Sequence, residues 1–187
     1  MSEVTDEIAL AKAAQGDTEA FSALYDRYVE RIYNYIYYRT GNTSDAEDLT
    51  ARVFHRAIGH IGSYSDRGVP FSAWLYRIAH NLVANWHRDN SRRREVPLED
   101  HLDLPQRGDH PEAALVKTQE LEKLMISIRK LPADRQQIII LKFTQQMTNA
   151  EIAIIMNRSE GAIKSLYHRT LLELRIDLDQ SIEISGE

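Results

Sequence analysis

The segment from Tyr64 to Trp86 holds many of the side-chain types that bind nucleic acid. Its aromatic residues are Tyr64, Phe71, Trp74, Tyr76 and Trp86, and the cations among or just after them are Arg67, Arg77, His80, His87 and Arg88. Aromatic rings can stack on unpaired bases while cations bind the phosphate backbone. Burial in a helical core is the alternative for each ring, since Trp74, Leu75 and Ile78 share one helical face. The pattern indicates a single-strand surface that is partly core.

A second candidate lies near the end of the chain, where two helices are predicted to meet at a three-residue turn. Thr148 and Glu151 have the spacing of a capping box, 156–158 interrupt the periodicity, and Ser159 can cap the next helix. This is helix-turn-helix spacing, in which the second helix enters the major groove with its first residues leading. The residues expected to contact DNA are Ser159, Glu160, Gly161, Lys164, Ser165, His168 and Arg169. An ordinary helical hairpin with a charged face is the alternative.

Acids open a predicted helix in the first half of the chain. Ser44 and Glu47 have capping-box spacing, so we expect the helix to begin there. The helix macrodipole favours acids in a first turn, but three exceed what capping requires. The acids are Asp45, Glu47 and Asp48, and the apolar residues that follow are Leu49, Val53 and Phe54. Acids exposed beside apolar groups suit a protein partner that is rich in arginine.

The elements that must position these residues are predicted to be helices almost throughout. Apolar residues recur at helical spacing in both halves of the chain, and few stretches alternate with period two. Gly41 and Asn42 supply a stop signal after the first long helix. The expected core positions include Phe21, Leu24, Tyr25, Tyr28, Ile32, Tyr35 and Ile36 in that helix, and Ile138, Ile139, Leu141 and Phe143 in the second half. The fold class is therefore expected to be all-α.

Residues 95–111 are predicted to form a flexible linker between two helical domains. They contain Pro97, Pro105, Gly108 and Pro111, many acids and no sustained periodicity. The expected domains are 1–94 and 112–176, with 177–187 as a loose tail. The formal net charge of −5 conceals a basic segment, 77–94, followed directly by the acidic linker. Local charge matters more than the total for phosphate binding, because salt screens charges within about 10 Å.

Composition excludes several classes of function. The chain has no cysteine, which rules out disulfides, thiolate catalysis and cysteine-ligated zinc. No apolar run approaches the roughly 18–20 residues that span a bilayer, and the first residues do not resemble a signal peptide. No glycine-rich phosphate loop is present, and His55 and His60 are spaced too far apart to share a helix face as metal ligands. We expect a cytoplasmic protein without membrane insertion, enzyme activity, cofactor or metal.

Two long stretches resemble bacterial RNA polymerase sigma factors of the sigma-70 family, in particular the extracytoplasmic-function (ECF) subfamily. Residues 17–93 resemble region two through Ala20-Phe21, Leu24-Tyr25, Asp45-Ala46-Glu47-Asp48-Leu49, Val53-Phe54, Arg56-Ala57, Phe71, Ala73-Trp74-Leu75-Tyr76-Arg77-Ile78-Ala79 and Asn81. Residues 131–175 resemble region four through Leu131-Pro132, Glu151-Ile152-Ala153, Ser159-Glu160-Gly161, Ile163-Lys164-Ser165 and His168-Arg169. The sequence departs from the family pattern at Ala51-Arg52, where Gln-Glu is usual, and at Leu166, where many members have Arg.

The resemblance implies a protein that binds core RNA polymerase and directs it to promoter DNA. The residues implied to dock on the clamp helices of the largest subunit are Asp45, Glu47, Asp48, Leu49, Arg52 and Phe54. Those implied to bind and melt the minus-ten element are Tyr64, Ser65, Asp66, Arg67, Phe71, Trp74, Arg77, His80, Asn81 and Arg88. The loop 62–68 would capture a flipped base, and the second domain would bind the flap of the other large subunit and the minus-thirty-five element.

The resemblance also implies an anti-sigma partner that covers the docking surface, and a linker that runs toward the RNA exit of the polymerase. Two other classes remain open. One is a helix-turn-helix regulator that does not act through core polymerase. The other is a sigma-like decoy that binds an anti-sigma partner. The departures from the family pattern at Ala51 and Arg52 are the reason to retain this alternative.

Overall fold

The computed structural model describes residues 5–64, 69–91 and 123–184, with side chains described up to 90 in the second range and 179 in the third. Within these ranges the chain is helical and contains no strand, which confirms the predicted all-α class. The chain divides into two compact units, and the division falls near residue 98. The predicted linker, 95–111, lies outside the described residues, as do Ser65, Asp66 and Arg67.

Among the residues that the structure describes, the first unit contains four α-helices and one short 3₁₀ turn. Helix α1 spans Asp6–Ala13, α2 spans Thr18–Thr40, α3 spans Thr43–His60, the 3₁₀ turn spans Ile61–Ser63, and α4 spans Phe71–Ser91. Helix α2 packs against α1, α3 and α4, and α3 also packs against α4. Helix α1 has no clear apolar face and was not predicted from the sequence; it is held by its packing against α2 and the 3₁₀ turn.

The core of the first unit follows most of the predicted apolar stripe. Five residues of α2 are buried where it packs against the other helices: Leu24, Tyr28, Ile32, Tyr35 and Ile36. Leu49 and Val53 of α3 and Leu75 and Leu82 of α4 are also buried. Burying one aliphatic side chain of this size contributes about 1.5–3 kcal/mol. The prediction is wrong for Tyr25, which lies at the rim of the core with 39% of its surface exposed and its ring edge against Phe54.

Gly41 and Asn42 together end α2 and begin α3. Gly41 adopts the left-handed conformation with φ 66°, and its N–H donates to the carbonyl of Tyr37. Asn42 is the N-cap of α3, and its Oδ1 accepts a hydrogen bond from the N–H of Asp45 at 2.9 Å. The predicted Ser44–Glu47 capping box is therefore wrong. Asn42 holds the extended backbone that an N-cap needs, whereas Ser44 lies inside the first turn.

The second unit contains the helix 123–130 (α5), followed by α6 (Ala133–Phe143), α7 (Asn149–Met156) and α8 (Glu160–Ile184). Pro132 is the N-cap of α6. Ile138, Ile139 and Leu141 are buried as predicted. Phe143 was also predicted as core, but it is 59% exposed because α6 ends at this residue.

Helix α8 continues past the predicted end of the second domain at 176. It runs to Ile184, so most of the predicted tail is helical. Asp177 lies on this extension, with its Oδ2 atom 3.5 Å from Nζ of Lys130 on α5. A hydrogen bond from Ser127, also on α5, holds the pKa of the Asp177 carboxyl below its usual value. These contacts with α5 make the first turns beyond 176 part of the folded unit.

Candidate nucleic-acid and polymerase interfaces

The acids at the start of α3 are available to a partner. Glu47 and Asp48 are exposed, and Asp45 is half-buried. Asp48 lies 3.7 Å from Arg52 one turn along the helix, with side chains that remain 69% and 53% exposed. So exposed an ion pair contributes only about 0.3–0.5 kcal/mol, so a partner can separate it at little cost. The departure at Arg52 thus places a cation beside the acids without neutralising them.

The apolar residues predicted for the docking surface are buried in this structure. Leu49 and Phe54 are 1% and 4% exposed, and Val53 is also buried. All three lie on the core side of the amphipathic helix α3, opposite its acidic face. In this structure Leu49 and Phe54 therefore hold the helix in place, and the surface beside the acids is formed by exposed residues such as Ala51 and Arg52.

A pocket of about 410 Å³ opens where the end of α3, the 3₁₀ turn and α4 meet. Its lining residues are Arg56, His60, Ser63, Tyr64, Trp74, Ile78 and Asn81. The structure thus brings together three of the residues predicted to bind the minus-ten element: Tyr64, Trp74 and Asn81. Sequence reasoning missed Arg56 and His60 as members of this site. Their spacing of four residues on one helix was the available signal, because it places both side chains on the same face.

The aromatic walls of the pocket are positioned by a buried ring. Tyr64 and Trp74 lie 5.1 Å apart between ring centroids, and Phe71 lies within 6 Å of both. The hydroxyl of Tyr64 donates to the carbonyl of Val69, which ties the pocket wall to the residues before α4. Phe71 itself is 3% exposed and does not line the pocket. Its place is behind the walls.

The remaining predicted minus-ten residues are distributed along α4. Arg88 is exposed beside Asn85 and Asp89, and Arg77 is half-buried. The His80 Nδ1 atom lies 3.0 Å from Nη1 of Arg39, a buried residue of α2. A guanidinium cannot accept a hydrogen bond, so His80 must accept through Nδ1. The ring is therefore anchored to the core on one side.

The predicted helix-turn-helix is confirmed in the second unit. The N–H of Thr148 donates to Glu151 at 2.8 Å and the N–H of Glu151 donates back to the Thr148 hydroxyl at 3.2 Å, which completes the capping box. Helix α7 ends at Met156, and Asn157 turns the chain with φ 53°. Ser159 then caps α8 by accepting from the N–H of Ala162 at 3.2 Å.

The predicted duplex-contacting residues share one exposed surface at the start of α8. All are exposed: Ser159, Glu160, Gly161, Lys164, Ser165, His168 and Arg169. Leu166, where the family pattern often has Arg, is buried in the core of the unit. The departure at Leu166 therefore replaces a polar group by core packing and leaves the exposed cations Lys164 and Arg169 in place.

Lys142 holds the turn before α7 and was not identified from the sequence. Its Nζ atom donates to the carbonyl of Met147 at 3.2 Å and to Oδ1 of Asn149 at 3.0 Å, and it lies 5.8 Å from the ring centre of Tyr167 on α8. An ion pair between Arg158 and Asp134 links the turn between α7 and α8 to α6. Both contacts fix α8 relative to the helices behind it.

The part of the chain that the structure describes offers neither a metal site nor a membrane span. Within it, no group of three or more potential ligands could hold a metal ion. No helix in the same ranges is long and apolar enough to cross a membrane.

Comparison with known families and proteins gives consistent matches. The Sigma-70 region 2 model matches residues 24–93, and the Sigma-70, region 4 model matches 121–174. ECF RNA polymerase sigma factor SigW of Bacillus subtilis is 31% identical, over 90% of this chain and 94% of the relative. RNA polymerase sigma factor YlaC of the same species is 30% identical, over 88% and 95%. ECF RNA polymerase sigma factor BldN of Streptomyces coelicolor is 38% identical over 87% of this chain, which spans 62% of that relative.

Two solved structures share the fold. CnrH, in complex with the cytosolic domain of CnrY, has a TM-score of 0.72 at 23% identity, covering 94% of this chain and 97% of that one. The sigma factor RpoE of Bartonella quintana, in complex with the anti-sigma factor NepR, has a TM-score of 0.70 at 20% identity, covering 87% and 98%.

Proposed function

The chain belongs to the ECF family of RNA polymerase sigma factors, and from that premise we propose that it binds core RNA polymerase and directs initiation at a subset of promoters. The observation that carries the proposal is the combination of three surfaces in one chain. These are an exposed acidic turn, a pocket with aromatic walls, and a capped helix with exposed cations. None of the three would suffice alone.

The acidic turn of α3 is the proposed polymerase-docking surface. Asp45, Glu47 and Asp48 would contact cationic side chains on the clamp helices of the largest subunit, with Arg52 contributing to the rim. Charge complementarity of this kind increases the association rate and excludes unsuitable partners. Leu49 and Phe54 support the docking surface from the core rather than contact the polymerase.

The pocket is the proposed site for one unpaired base of the minus-ten element. Taking a base out of the stack costs a few kcal/mol. Stacking on an aromatic side chain returns about 1–3 kcal/mol per base, so Tyr64 and Trp74 can offset much of that cost. Arg56, His60 and Asn81 can donate hydrogen bonds to the base or its phosphate. Arg77 and Arg88, further along α4, would bind the neighbouring backbone, as would Arg67 of the loop.

The start of α8 is the proposed duplex-binding surface for the minus-thirty-five element. Its first turn can enter the major groove because Ser159 ends the preceding turn and leaves the following residues exposed. Lys164 and Arg169 can donate to guanine edges or to phosphates, and Ser165 can donate to either. The second unit would also bind the flap of the other large subunit.

Several further properties follow from the same proposal. The protein would act in the cytoplasm, without enzyme activity of its own, and the acidic segment 95–111 would run toward the RNA exit. An anti-sigma partner would hold the free protein. The structures of CnrH with CnrY and of RpoE with NepR support this last point, since both proteins share the fold.

Run-off transcription on fragments of the host genome tests the proposal. The purified chain is added to core RNA polymerase, with core polymerase alone and the chain alone as controls. We expect transcripts from a small set of fragments only when both are present. If the chain does not associate with core polymerase, even when freed of any inhibitor, the proposal is wrong. Fragment binding without transcription would then indicate a regulator, and binding to an anti-sigma protein alone would indicate a decoy.

A further inference from the structure

Helix α1 is hydrogen-bonded at its start to α2 and also packs against the 3₁₀ turn, which contributes to the pocket lining. At its start, the carboxylate of Asp6 accepts hydrogen bonds from Arg27 and from the hydroxyl of Tyr28, both on α2. The 3₁₀ turn against which α1 packs is Ile61–Ser63. That turn supplies Ser63 to the pocket lining.

A continuous set of ring contacts leads from Asp6 to the pocket walls. The ring of Tyr28 lies 5.6 Å from that of Phe71, edge to face. Phe71 in turn lies 5.9 Å from Tyr64 and 5.7 Å from Trp74. Four elements of the first unit are therefore joined through this cluster: α1, α2, α4 and the residue after the 3₁₀ turn.

The cluster is packed tightly enough to pass on a small displacement. Tyr28 and Phe71 are 7% and 3% exposed, and close-packed interiors have no free volume in which a shifted ring can be absorbed. Burial first, and then the hydrogen bond to Asp6, raises the pKa of Tyr28 well above its usual value. The hydroxyl thus stays protonated at neutral pH and remains a donor to Asp6.

We propose that Asp6 is a positioning residue for the base pocket, and that α1 is a brace that fixes the Tyr28 and Phe71 rings behind Tyr64 and Trp74. The inference rests on the proposed function, because it assigns to α1 a part in selecting the base that the pocket holds. Asp6 makes no contact with the base itself. It acts by limiting the positions that the Tyr64 and Trp74 rings can adopt.

The test measures base preference rather than affinity alone. Holoenzyme assembled from the full chain and core polymerase is incubated with single-stranded DNA 10-mers of random sequence, and the bound fraction is sequenced. We expect the wild type to prefer one base strongly at one position. Asp6→Ala should reduce that preference about tenfold, while total binding of the pool falls by no more than about twofold. Asp6→Asn, whose amide oxygen can still accept from Tyr28, should retain most of the preference.

Two further variants separate positioning from a general loss of stability. Tyr28→Phe keeps the ring but loses the hydroxyl, so it should lower the same preference, and it decides the question if Asp6→Ala does not fold. Glu7→Gln removes one charge from the exposed neighbouring position and should change nothing. An unchanged preference in both Asp6→Ala and Tyr28→Phe, or an equal loss at every position, would overturn the brace alone. A wild type without any base preference would overturn the pocket assignment and the brace with it.

Discussion

The two helical units present their candidate nucleic-acid residues in opposite ways. In the first, Tyr64 and Trp74 are half-buried walls of a concave pocket, and a buried Phe71 stands behind them. In the second, Lys164 and Arg169 are exposed on the surface of α8. The difference matches the two forms of DNA. An unpaired base offers two flat faces that can be enclosed, whereas a base pair in a duplex offers only its edges, which a protruding helix can reach.

The comparison also shows how each unit stabilises its candidate site. Packing of rings from α2 and α4 and the 3₁₀ turn positions the pocket, so its geometry depends on the whole bundle. The duplex-binding surface at the start of α8 is positioned largely by two local caps, at Thr148 and Ser159, and by the contacts of Lys142. A disturbance to the core of the first unit should therefore change its site more than an equal disturbance in the second.

The largest effect is expected from Asp48→Arg, which should separate polymerase binding from duplex binding. Reversing the charge at an exposed docking position should weaken association with core polymerase by about 100-fold or more, because like charges then face each other. The fold should persist, since Asp48 makes only an exposed ion pair. Pull-down with core polymerase measures the loss. Glu19→Arg, which changes an exposed acid in the first turn of α2, is the matched control, and equal losses in both would contradict the assignment.

Replacing Lys164 and Arg169 by Ala should weaken duplex binding by the second unit. Loss of two cations should weaken upstream duplex binding by about tenfold to 100-fold and reduce the salt dependence of log K by up to about 2. Binding to core polymerase should not change. Footprinting of the holoenzyme and salt titration provide the measurements. Arg175→Ala, further along α8 and paired with Asp179 at 3.8 Å, is the control. An unchanged upstream footprint in the double variant would remove the duplex assignment.

Trp74→Leu should weaken binding of single-stranded DNA at the pocket without affecting duplex binding at α8. Loss of one stacking wall should weaken single-strand binding by about tenfold, in line with about 1–3 kcal/mol per stacked base, and leave duplex binding intact. Fluorescence anisotropy with single-stranded and double-stranded probes distinguishes the two. Trp86→Leu changes a half-buried tryptophan of the same helix outside the pocket. If that control weakens single-strand binding equally, the pocket is not the site.

The buried side chains of Tyr28 and Tyr76 predict that the stability of the first unit falls at alkaline pH. Burial is the largest cause that raises the pKa of both Tyr28 and Tyr76 above the ordinary value of about 10. A raised pKa means that the folded state holds the proton more tightly. The stabilisation is complete below about pH 10 and is lost as pH rises further. Chemical denaturation of the full chain from pH 8 to 11 should show this loss, reduced in Tyr28→Phe but not in the exposed-site control Tyr25→Phe.

The smallest effect is expected from the cap of α3. Asn42→Ala should lower the free energy of unfolding by about 1 kcal/mol, because the N–H of Asp45 loses its partner. Ser44→Ala, at the position where the sequence alone placed the cap, should change it by no more than about 0.5 kcal/mol. Urea denaturation compares the two. A larger effect at Ser44 than at Asn42 would show that Ser44, as the sequence predicted, is the cap of α3.

Local features of the sequence determined much of this protein. The helical periodicity, the helix stop at Gly41, the capping box of Thr148 and Glu151 and the cap at Ser159 were all predicted and all observed. Each depends on residues within one or two turns of each other, so no knowledge of the packing is needed. The error at the cap of α3 arose because Asn42 and Ser44 are both good capping residues two positions apart.

Only the tertiary structure decided which side of a helix each functional candidate occupies. Helix α4 packs against both α2 and α3, so its apolar surface is wide, and spacing could not show that Phe71 is core while Trp74 lines a pocket. The partnership of Arg56 and His60 with Trp74 depends on how α3 and α4 pack across the turn between them, which the spacing within either helix does not show. Asp6 meets Tyr28 across 22 positions for the same reason. Periodicity reports a helix face, but the neighbours that cover or expose that face are set by long-range packing.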